Sequence, residues 1–342
     1  MKPALLALAL LLGQPSDPDA LSEKATELAK QQRYDEAAAL WQRALKLQPD
    51  YFPALFNLGY MEVTRSRFQA AEPFLARAIR VKPDDFNTRY LLGSVLANLG
   101  RSEDGLRQWR AALKIQPRNV RLMQVMAVEY SKGRYFAESA ALARRALELN
   151  PDDPNAYFIA IKACQDAQDG AAMEIGRRAA EKFPDSARAN FEYAFHLQKI
   201  GRATEAIPHL KKAMAADPSY EEPFFFYGDL LLREERYQEA SPYFRQALKN
   251  RPDYVVAAVA LAKALMSLER YPEALKELEQ ALASQPKHPH PHLLLSQIYF
   301  RMGDEQRARE EKELSLRLRR ADPTIMESPQ GRPFPVEGTG TR

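Results

Sequence analysis

Five histidines and a single cysteine are the side chains with the clearest capacity for chemistry in this chain. Three of the histidines, His288, His290 and His292, alternate with prolines, and an extended Pro-rich backbone would place their rings on similar sides. Neighbouring imidazoles can bind a metal ion, but this segment has no cysteine or carboxylate to complete a set of ligands. We therefore expect a stiff turn and no metal site.

The other candidates for catalysis also favour packing over chemistry. His196 and His209 lie within helical patterns, and Cys164 falls on the inward face of its helix, where a thiol is inert. The sequence has no Gly-x-Gly-x-x-Gly, no Gly-Lys-Ser/Thr, no His-Glu-x-x-His and no Gly-x-Ser-x-Gly. It therefore predicts a protein that is not an enzyme and holds no cofactor. An enzyme with its site near the three clustered histidines is the alternative.

The composition indicates a folded body with a solvated surface. Of 342 residues, 46% are hydrophobic and 27% are charged, and the formal net charge is +4. These values exclude a wholly disordered chain, and one cysteine excludes a disulfide scaffold. Acids and bases alternate, as in Glu234, Glu235 and Arg236, which is typical of solvated helix faces and not of a phosphate-binding surface. We expect no nucleic-acid partner.

Prolines recur at a fixed interval along most of the chain. The interval is 34 residues, with a single step of 33. The prolines are Pro49, Pro83, Pro117, Pro151, Pro184, Pro218, Pro252 and Pro286. A repeat of this length indicates supersecondary units, each of which buries its apolar face by stacking on its neighbours.

Two ladders of small residues run in phase with the prolines. One consists of alanines: Ala44, Ala78, Ala112, Ala146, Ala179, Ala213, Ala247 and Ala281. The other consists of Ala37, Ala71, Gly105, Ser139, Ala172, Ala206, Ala240 and Ala274. Each unit also opens with apolar residues three and four apart, which predicts a helix. The pattern therefore predicts two helices per unit, which approach closely at the small residues and end at the proline.

In these features the sequence resembles the tetratricopeptide repeat (TPR) family. The unit 52–85 carries the residues at the family's spacing: Leu55, Leu58, Gly59, Ala71, Leu75, Ala78 and Pro83. The resemblance implies an all-α fold, an α-α superhelix or TPR solenoid of about nine helix hairpins over residues 18–320. The units are 18–51, 52–85, 86–119, 120–153, 154–186, 187–220, 221–254, 255–288 and an incomplete, capping unit 289–320.

The fifth unit, 154–186, is one residue shorter than the others. We expect the missing residue in the turn at 167–170. Ile161 stands where most other units carry a small residue, and a shifted register with Ala160 at that position is the alternative.

The two ends of the chain differ from the repeats. Residues 1–16 combine Lys2, an apolar run from Ala4 to Leu12 and a polar Pro-containing end, which predicts a signal peptide, with a frayed helix as the alternative. No later apolar run is long enough to predict a transmembrane helix in the mature chain. Residues 321–342 are rich in Pro, Gly and Thr, which predicts disorder. We expect an exported protein, periplasmic or secreted.

The resemblance to TPR proteins places a binding groove on the first helices of the hairpins. Aromatic rings recur at the groove positions with occasional charges, a combination that suits an extended peptide or a partner helix. The candidate peptide-binding or partner-binding residues are Phe56, Tyr60, Tyr90, Arg121, Phe158, Lys162, Arg188, Phe191, Phe195, Phe225, Asp229 and Lys263.

Packing is the alternative role for part of this set. Aromatic residues are frequent in TPR proteins at the first of the two groove positions, so about half of these rings are expected to pack on the adjacent hairpin. Tyr60 and Phe195 lie one turn further along and are the stronger candidates for contact with a partner. Asp229 and Lys263 are 34 residues apart and can pair with each other.

Two specialised groove chemistries of the family are missing from this sequence. A clamp for the C-terminal carboxylate of heat-shock chaperones requires Lys, Asn and Arg at positions that here hold Ser22, Thr26, Asn87 and Leu91 around Asn57. The asparagine ladder of the O-linked N-acetylglucosamine transferase is missing as well. We therefore expect a non-catalytic scaffold that binds a peptide or a partner protein in its groove. The alternative is an accessory subunit or chaperone-like factor of bacterial envelope assembly or secretion that binds apolar client segments.

Overall fold

The computed structural model describes residues 17–322, and this part of the chain is all-α, with eighteen helices and no strands. It divides into two compact units at Ala172 and Met173. Helices of the first unit are α1 Pro18–Lys30, α2 Tyr34–Leu47, α3 Phe52–Thr64, α4 Phe68–Val81, α5 Phe86–Asn98, α6 Ser102–Ile115, α7 Val120–Lys132, α8 Phe136–Leu149 and α9 Pro154–Asp166. Helix α10, Ala171–Lys182, contains the boundary.

The second unit continues the alternation of helices. Its helices are α11 Ala187–Lys199, α12 Ala203–Ala216, α13 Glu221–Arg233, α14 Tyr237–Asn250, α15 Val255–Ser267, α16 Tyr271–Ser284, α17 Pro289–Arg301 and α18 Glu305–Ala321. The predicted all-α fold of paired helices is confirmed.

Side-chain caps fix where several of the first helices begin. Asp85 Oδ2 accepts a hydrogen bond from Thr88 N at 2.7 Å, and Asn119 Oδ1 accepts one from Leu122 N at 2.9 Å. Such caps satisfy N–H groups that have no partner inside the helix. Each cap follows the predicted proline by two residues, so the proline ends one helix and the cap starts the next.

The turn between the two helices of each hairpin has one residue with positive φ. After α1, Gln32 N donates to Ala29 O at 3.0 Å and Arg33 N donates to Leu28 O at 2.9 Å, the pattern of a Schellman motif. The positive-φ residues are Gln32, Ser66, Gly100, Arg134, Gln168, Gly201, Glu235, Glu269 and Gly303. The motif reverses the chain and sets the second helix against the first.

The small-residue ladders lie in the interior of each unit. All members of the alanine ladder are buried, and so are Gly105 and Ser139 in the other ladder. Ser139 Oγ donates to Ala127 O at 2.7 Å, so its hydroxyl is satisfied inside the hairpin. Larger side chains such as Trp109 and Phe244 fill the space beside the small residues.

The fifth repeat is shortened where its turn meets its second helix. The turn 167–170 has four residues where the other hairpins have three, and α10 has 12 residues where the other second helices have 14 or more. Helix α9 keeps the phase of the preceding first helices, so Ile161 occupies the small-residue position and is buried there.

The last helix is strongly polar and buries little of its surface. Within α18, Ala308 and Ser315 are buried, and Ser315 Oγ donates to Pro289 O at 2.8 Å. The helix extends through Ala321, the first residue of the predicted tail. The predicted signal peptide, 1–16, and residues 323–342 of the predicted tail lie outside the described residues. Within residues 17–322, no helix has both the length and the hydropathy needed to cross a bilayer.

Candidate functional site

A cavity of about 550 Å³ opens in the first unit on the faces of α5, α7 and α9. Its lining comes from the first helices of three successive hairpins, apart from Trp109 of α6. The lining residues are Tyr90, Ser94, Ala97, Asn98, Trp109, Arg121, Gln124, Val125, Val128, Glu129, Lys132 and Ile159. The cavity thus lies on the surface where the sequence predicts a groove.

Helix periodicity explains which residues of α7 reach the cavity. Gln124, Val125, Val128 and Lys132 follow Arg121 by three, four, seven and eleven residues, so all five share one face of the helix. The opposite face carries Leu122, Met123 and Met126, which are buried. One amphipathic helix therefore contributes to the core on one side and to the cavity on the other.

Hydrogen bonds hold the α5 wall of the cavity in place. Tyr90 O accepts from Trp109 Nε1 at 3.0 Å and from Ser94 Oγ at 3.1 Å. Asn98 Nδ2 donates to Ser94 O at 2.9 Å. The indole, the serine and the asparagine are therefore committed to the protein, whereas the Tyr90 hydroxyl has no hydrogen-bond partner among residues 17–322.

Two of the three charged groups on the cavity wall neutralise each other. The Glu129 carboxylate is buried, accepts a hydrogen bond from Ser102 Oγ and pairs with Lys132 Nζ at 3.1 Å. A buried carboxylate needs a cation and hydrogen-bond donors to compensate for its lost hydration. Lys132 and Ser102 meet that need for Glu129.

Arg121 is the third charged group of the cavity and is exposed. Its guanidinium makes no hydrogen bond or ion pair within the described part of the chain. The cavity therefore has a net charge of +1 from its lining side chains, centred on Arg121.

Other predicted residues of the first unit differ in their exposure. Phe56 stacks between Phe52 and Tyr60 along α3, with ring centroids 6.0 and 6.3 Å apart, and Tyr60 is 50% exposed. Phe158 is buried, so its ring belongs to the core. Lys162 forms an ion pair with Asp166 on the same helix, and Asp166 also accepts a hydrogen bond from Ser131 Oγ at 2.6 Å.

The predicted rings of the second unit form part of an aromatic cluster on α11 and α13. Phe191 and Phe225 are buried, at 0% and 5% exposure, and their main contacts are with other rings of the core. Phe195 is half-buried and meets Phe226 edge to face at a centroid distance of 5.5 Å. Phe195 and Phe226 therefore form the accessible edge of this cluster.

The three predicted charged residues of the second unit have different environments. Asp229 is buried and pairs with Arg233 at 2.8 Å, one turn along the same helix. Burial raises the pKa of the Asp229 carboxyl, and the charges of Arg233 and Lys263 oppose that shift. Lys263 is half-buried, and Arg188 is exposed at the start of α11. The predicted relation between Asp229 and Lys263 is thus secondary to the ion pair with Arg233.

The clustered histidines lie at a helix start and not in an extended turn, which corrects the sequence-based expectation. His288 is the N-cap of α17, and Pro289 and Pro291 occupy its first turn, where a fixed φ and a missing N–H are tolerated. His292 Nδ1 lies 2.6 Å from Glu311 Oε2, and its Nε2 lies 3.1 Å from Pro286 O. His292 thus joins α17 to α18. No group of three or more His, Cys, Asp or Glu residues within 17–322 is arranged to hold a metal ion.

Several cavity residues are outside the predicted set. Ser94, Gln124 and Val128 have the groove phase and could be found from periodicity, but they carry neither a ring nor a charge. Trp109 comes from a second helix and reaches the cavity only because Gly93 leaves room for it. In the second unit, Phe226 is the missed ring, and the run Phe224, Phe225, Phe226 is the signal that could have indicated it.

Comparisons with known proteins agree with this architecture. One tetratricopeptide repeat model matches residues 22–88 and 194–255, and a second matches residues 231–298 and 268–322. A search of curated protein sequences found no significant match.

Among solved structures, the Cut9 and Hcn1 hetero-tetramer of the APC/C aligns with a TM-score of 0.53 at 14% identity, over 85% of this chain and 58% of that one. Yeast Tom70 aligns with a TM-score of 0.45 at 16% identity, over 89% of this chain and 77% of that one. YrrB, described as a TPR protein with an unusual peptide-binding site, aligns with a TM-score of 0.44 at 17% identity, over 54% of this chain and 95% of that one. The repeat models together with the helix hairpins show that the chain belongs to the tetratricopeptide repeat family, whose fold implies a protein–protein interaction scaffold.

Proposed function

We propose that this TPR protein is a non-catalytic scaffold that holds a peptide or a segment of a partner protein against the first helices of its hairpins. The observation that carries the proposal is the cavity on α5, α7 and α9, where an apolar wall adjoins Arg121, which has no partner among residues 17–322. Binding sites for peptides combine an apolar surface that gives affinity with a few polar groups that fix orientation.

Aromatic rings elsewhere on the first helices, one exposed and two half-buried, support the same role. Tyr60 in the first unit and Phe195 with Phe226 in the second are large, rigid and accessible, and such rings dominate the energetics of protein interfaces. Each unit thus offers its own contact surface.

The proposed role requires no chemistry at the three clustered histidines. His288 caps α17, and His292 joins α17 to Glu311 of α18. These contacts give His288 and His292 a structural task and support the assignment of the protein as a scaffold rather than an enzyme.

We also propose that the protein is exported, on the strength of residues 1–16. Expression of the full chain in a bacterium, fractionation of the cells and sequencing of the mature N-terminus test this. A new N-terminus near residue 17 in the periplasmic or secreted fraction is expected. The intact Met1 in the cytoplasmic fraction would refute export without touching the scaffold role.

Site-specific photo-crosslinking in native cells tests the scaffold role. A photoreactive amino acid replaces Val128 in one variant and Phe195 in another, while a third carries it at Lys114, exposed on the second helix α6. We expect a defined protein to be captured from a first-helix position and not from Lys114. Equal capture at Lys114, or no capture above background at either first-helix position, would refute the proposal.

A further inference from the structure

The cavity of the first unit has one strong electrostatic preference. Of the three charged residues on its wall, Glu129 and Lys132 pair with each other, which leaves Arg121 as the unpaired charge within the described residues. A guanidinium has planar, paired N–H donors that match a carboxylate, and it binds one by two parallel hydrogen bonds. An acidic group is therefore the charged ligand that this cavity can complement.

Two further polar groups on the wall are available to a ligand. The Tyr90 hydroxyl has no partner among residues 17–322. Gln124 uses its amide nitrogen to donate to Asp153 Oδ2 at 2.9 Å, which leaves its carbonyl oxygen to accept. A hydroxyl that donates and an amide oxygen that accepts are complementary to the C=O and N–H groups of an extended peptide backbone.

The apolar part of the wall is close to Arg121 on the same helix. Val125 follows Arg121 by four residues, and Val128, which is 44% exposed, follows by seven. Four residues of α-helix advance by about 6 Å, and two residues of an extended chain advance by about 6.6 Å with both side chains on the same side. If an acidic side chain of an extended peptide pairs with Arg121, the peptide side chain two residues away therefore lies beside Val125.

We propose that the occupant of this cavity is an extended internal segment of a partner protein with the pattern acidic, any residue, large apolar. Its Asp or Glu carboxylate pairs with Arg121, and its apolar side chain packs on Val125, Val128 and Ile159. The proposal rests on the scaffold role and specifies the ligand of that same site.

Selection from a random peptide display library against the full-length protein tests the specificity. The displayed peptides have no free N-terminus or C-terminus, so the selection reports only binding of internal residues. Wild type, Arg121→Glu and Arg118→Glu are selected in parallel. Arg118 is exposed, lies three residues earlier in the turn before α7 and does not line the cavity, so it controls for a general change of charge. Matching thermal melts of the three proteins show that each is folded.

We expect wild type and Arg118→Glu to enrich peptides with an acidic residue two positions from a large apolar residue. Arg121→Glu should not enrich such peptides. A synthetic selected peptide should bind Arg121→Glu at least tenfold more weakly than wild type in fluorescence anisotropy, and Arg118→Glu within twofold. Replacement of its acidic residue by Lys should restore binding to Arg121→Glu.

Two results would overturn the proposal while the scaffold role stands. One is enrichment of peptides without an acidic preference, and the other is binding that requires a free C-terminal carboxylate. Failure of wild type to enrich any peptide, combined with no capture in the crosslinking experiment, would refute both proposals.

Discussion

Gly93 on α5 lies directly against the indole of Trp109 on α6. A Cβ atom at Gly93 would lie within 2.8 Å of Trp109 Cε2, closer than real Cβ contacts. The same indole donates its N–H to Tyr90 O and forms part of the cavity wall. The close approach of these two residues therefore sets both the packing of the hairpin and the shape of the candidate site.

Substitution Gly93→Ala is expected to destabilise the protein by about 1 to 3 kcal/mol, because the added methyl group must displace a buried ring. Urea unfolding followed by circular dichroism measures the change. The loss of stability should come with weaker binding of any peptide that occupies the cavity. An unfolding midpoint equal to that of wild type would show that α5 and α6 are less closely packed than described.

The hairpin turns allow a test of backbone strain. Gly201 has φ +80° and open space around its Cα, so Gly201→Ala places a side chain in the left-handed region without a clash. A non-glycine residue there costs about 1 kcal/mol or slightly more. We expect Gly201→Ala to lower the melting temperature.

Gly170→Ala is the matched control for this effect. Gly170 also has no neighbouring atoms at the Cβ position, but its φ lies outside the left-handed region. Alanine at such a site leaves stability unchanged or raises it slightly, because it restricts the unfolded chain. If both variants lowered the melting temperature equally, strain at positive φ could not be the cause.

Much of this fold follows from the positions that small and large residues occupy within each 34-residue repeat. The small-residue ladders predict that the two helices of a hairpin approach closely, and all members of the alanine ladder are buried. The position of an aromatic residue within the repeat does not determine how deeply its ring is buried. Phe191 and Phe195 lie one turn apart on α11, yet the first is fully buried and the second is half-buried. Phe226 meets both rings, at centroid distances of 5.4 and 5.5 Å, whereas Tyr220 packs edge to face on Phe191.

Contacts between helices are the other limit of sequence-based prediction. His292 and Glu311 are 19 residues apart, and only the packing of α18 on α17 brings the imidazole to the carboxylate. The Pro-rich segment around His292 predicts extended backbone. Prolines in the first turn of a helix, however, satisfy the same restraint on φ. Local composition therefore gave the wrong conformation, and the tertiary contact explains the observed one.

Cys164 is predicted to resist alkylation in the folded protein. Its side chain is buried, and burial with the nearby charge of Asp169 raises the pKa of the thiol to about 11. The thiolate is the reactive form, so at pH 8 the reaction with iodoacetamide should be about two orders of magnitude slower than in the unfolded chain. Mass spectrometry of the alkylated protein in buffer and in urea measures both rates. Similar rates in the two conditions would contradict the burial of Cys164.

Asp229 gives a prediction for the pH dependence of stability. Its carboxyl is buried on α13, and this burial raises its pKa above the ordinary value near 3.8, despite Arg233 at 2.8 Å. The folded protein therefore holds this proton at pH values where the unfolded chain has released it. The charged carboxylate destabilises the fold at neutral pH, and that penalty is relieved as the pH falls through the raised pKa.

Asp229→Asn is accordingly expected to melt at a higher temperature than wild type at pH 7, because the amide removes the cost of burying a charge. The advantage should shrink as the pH falls through the raised pKa of Asp229, because wild type then takes up the proton itself. Arg233→Gln is the informative companion, since it removes the opposing charge and should destabilise wild type most at pH 7, when Asp229 is ionised. If Asp229→Asn melted below wild type at pH 7, the ion pair with Arg233 would outweigh the burial that raises the pKa of Asp229.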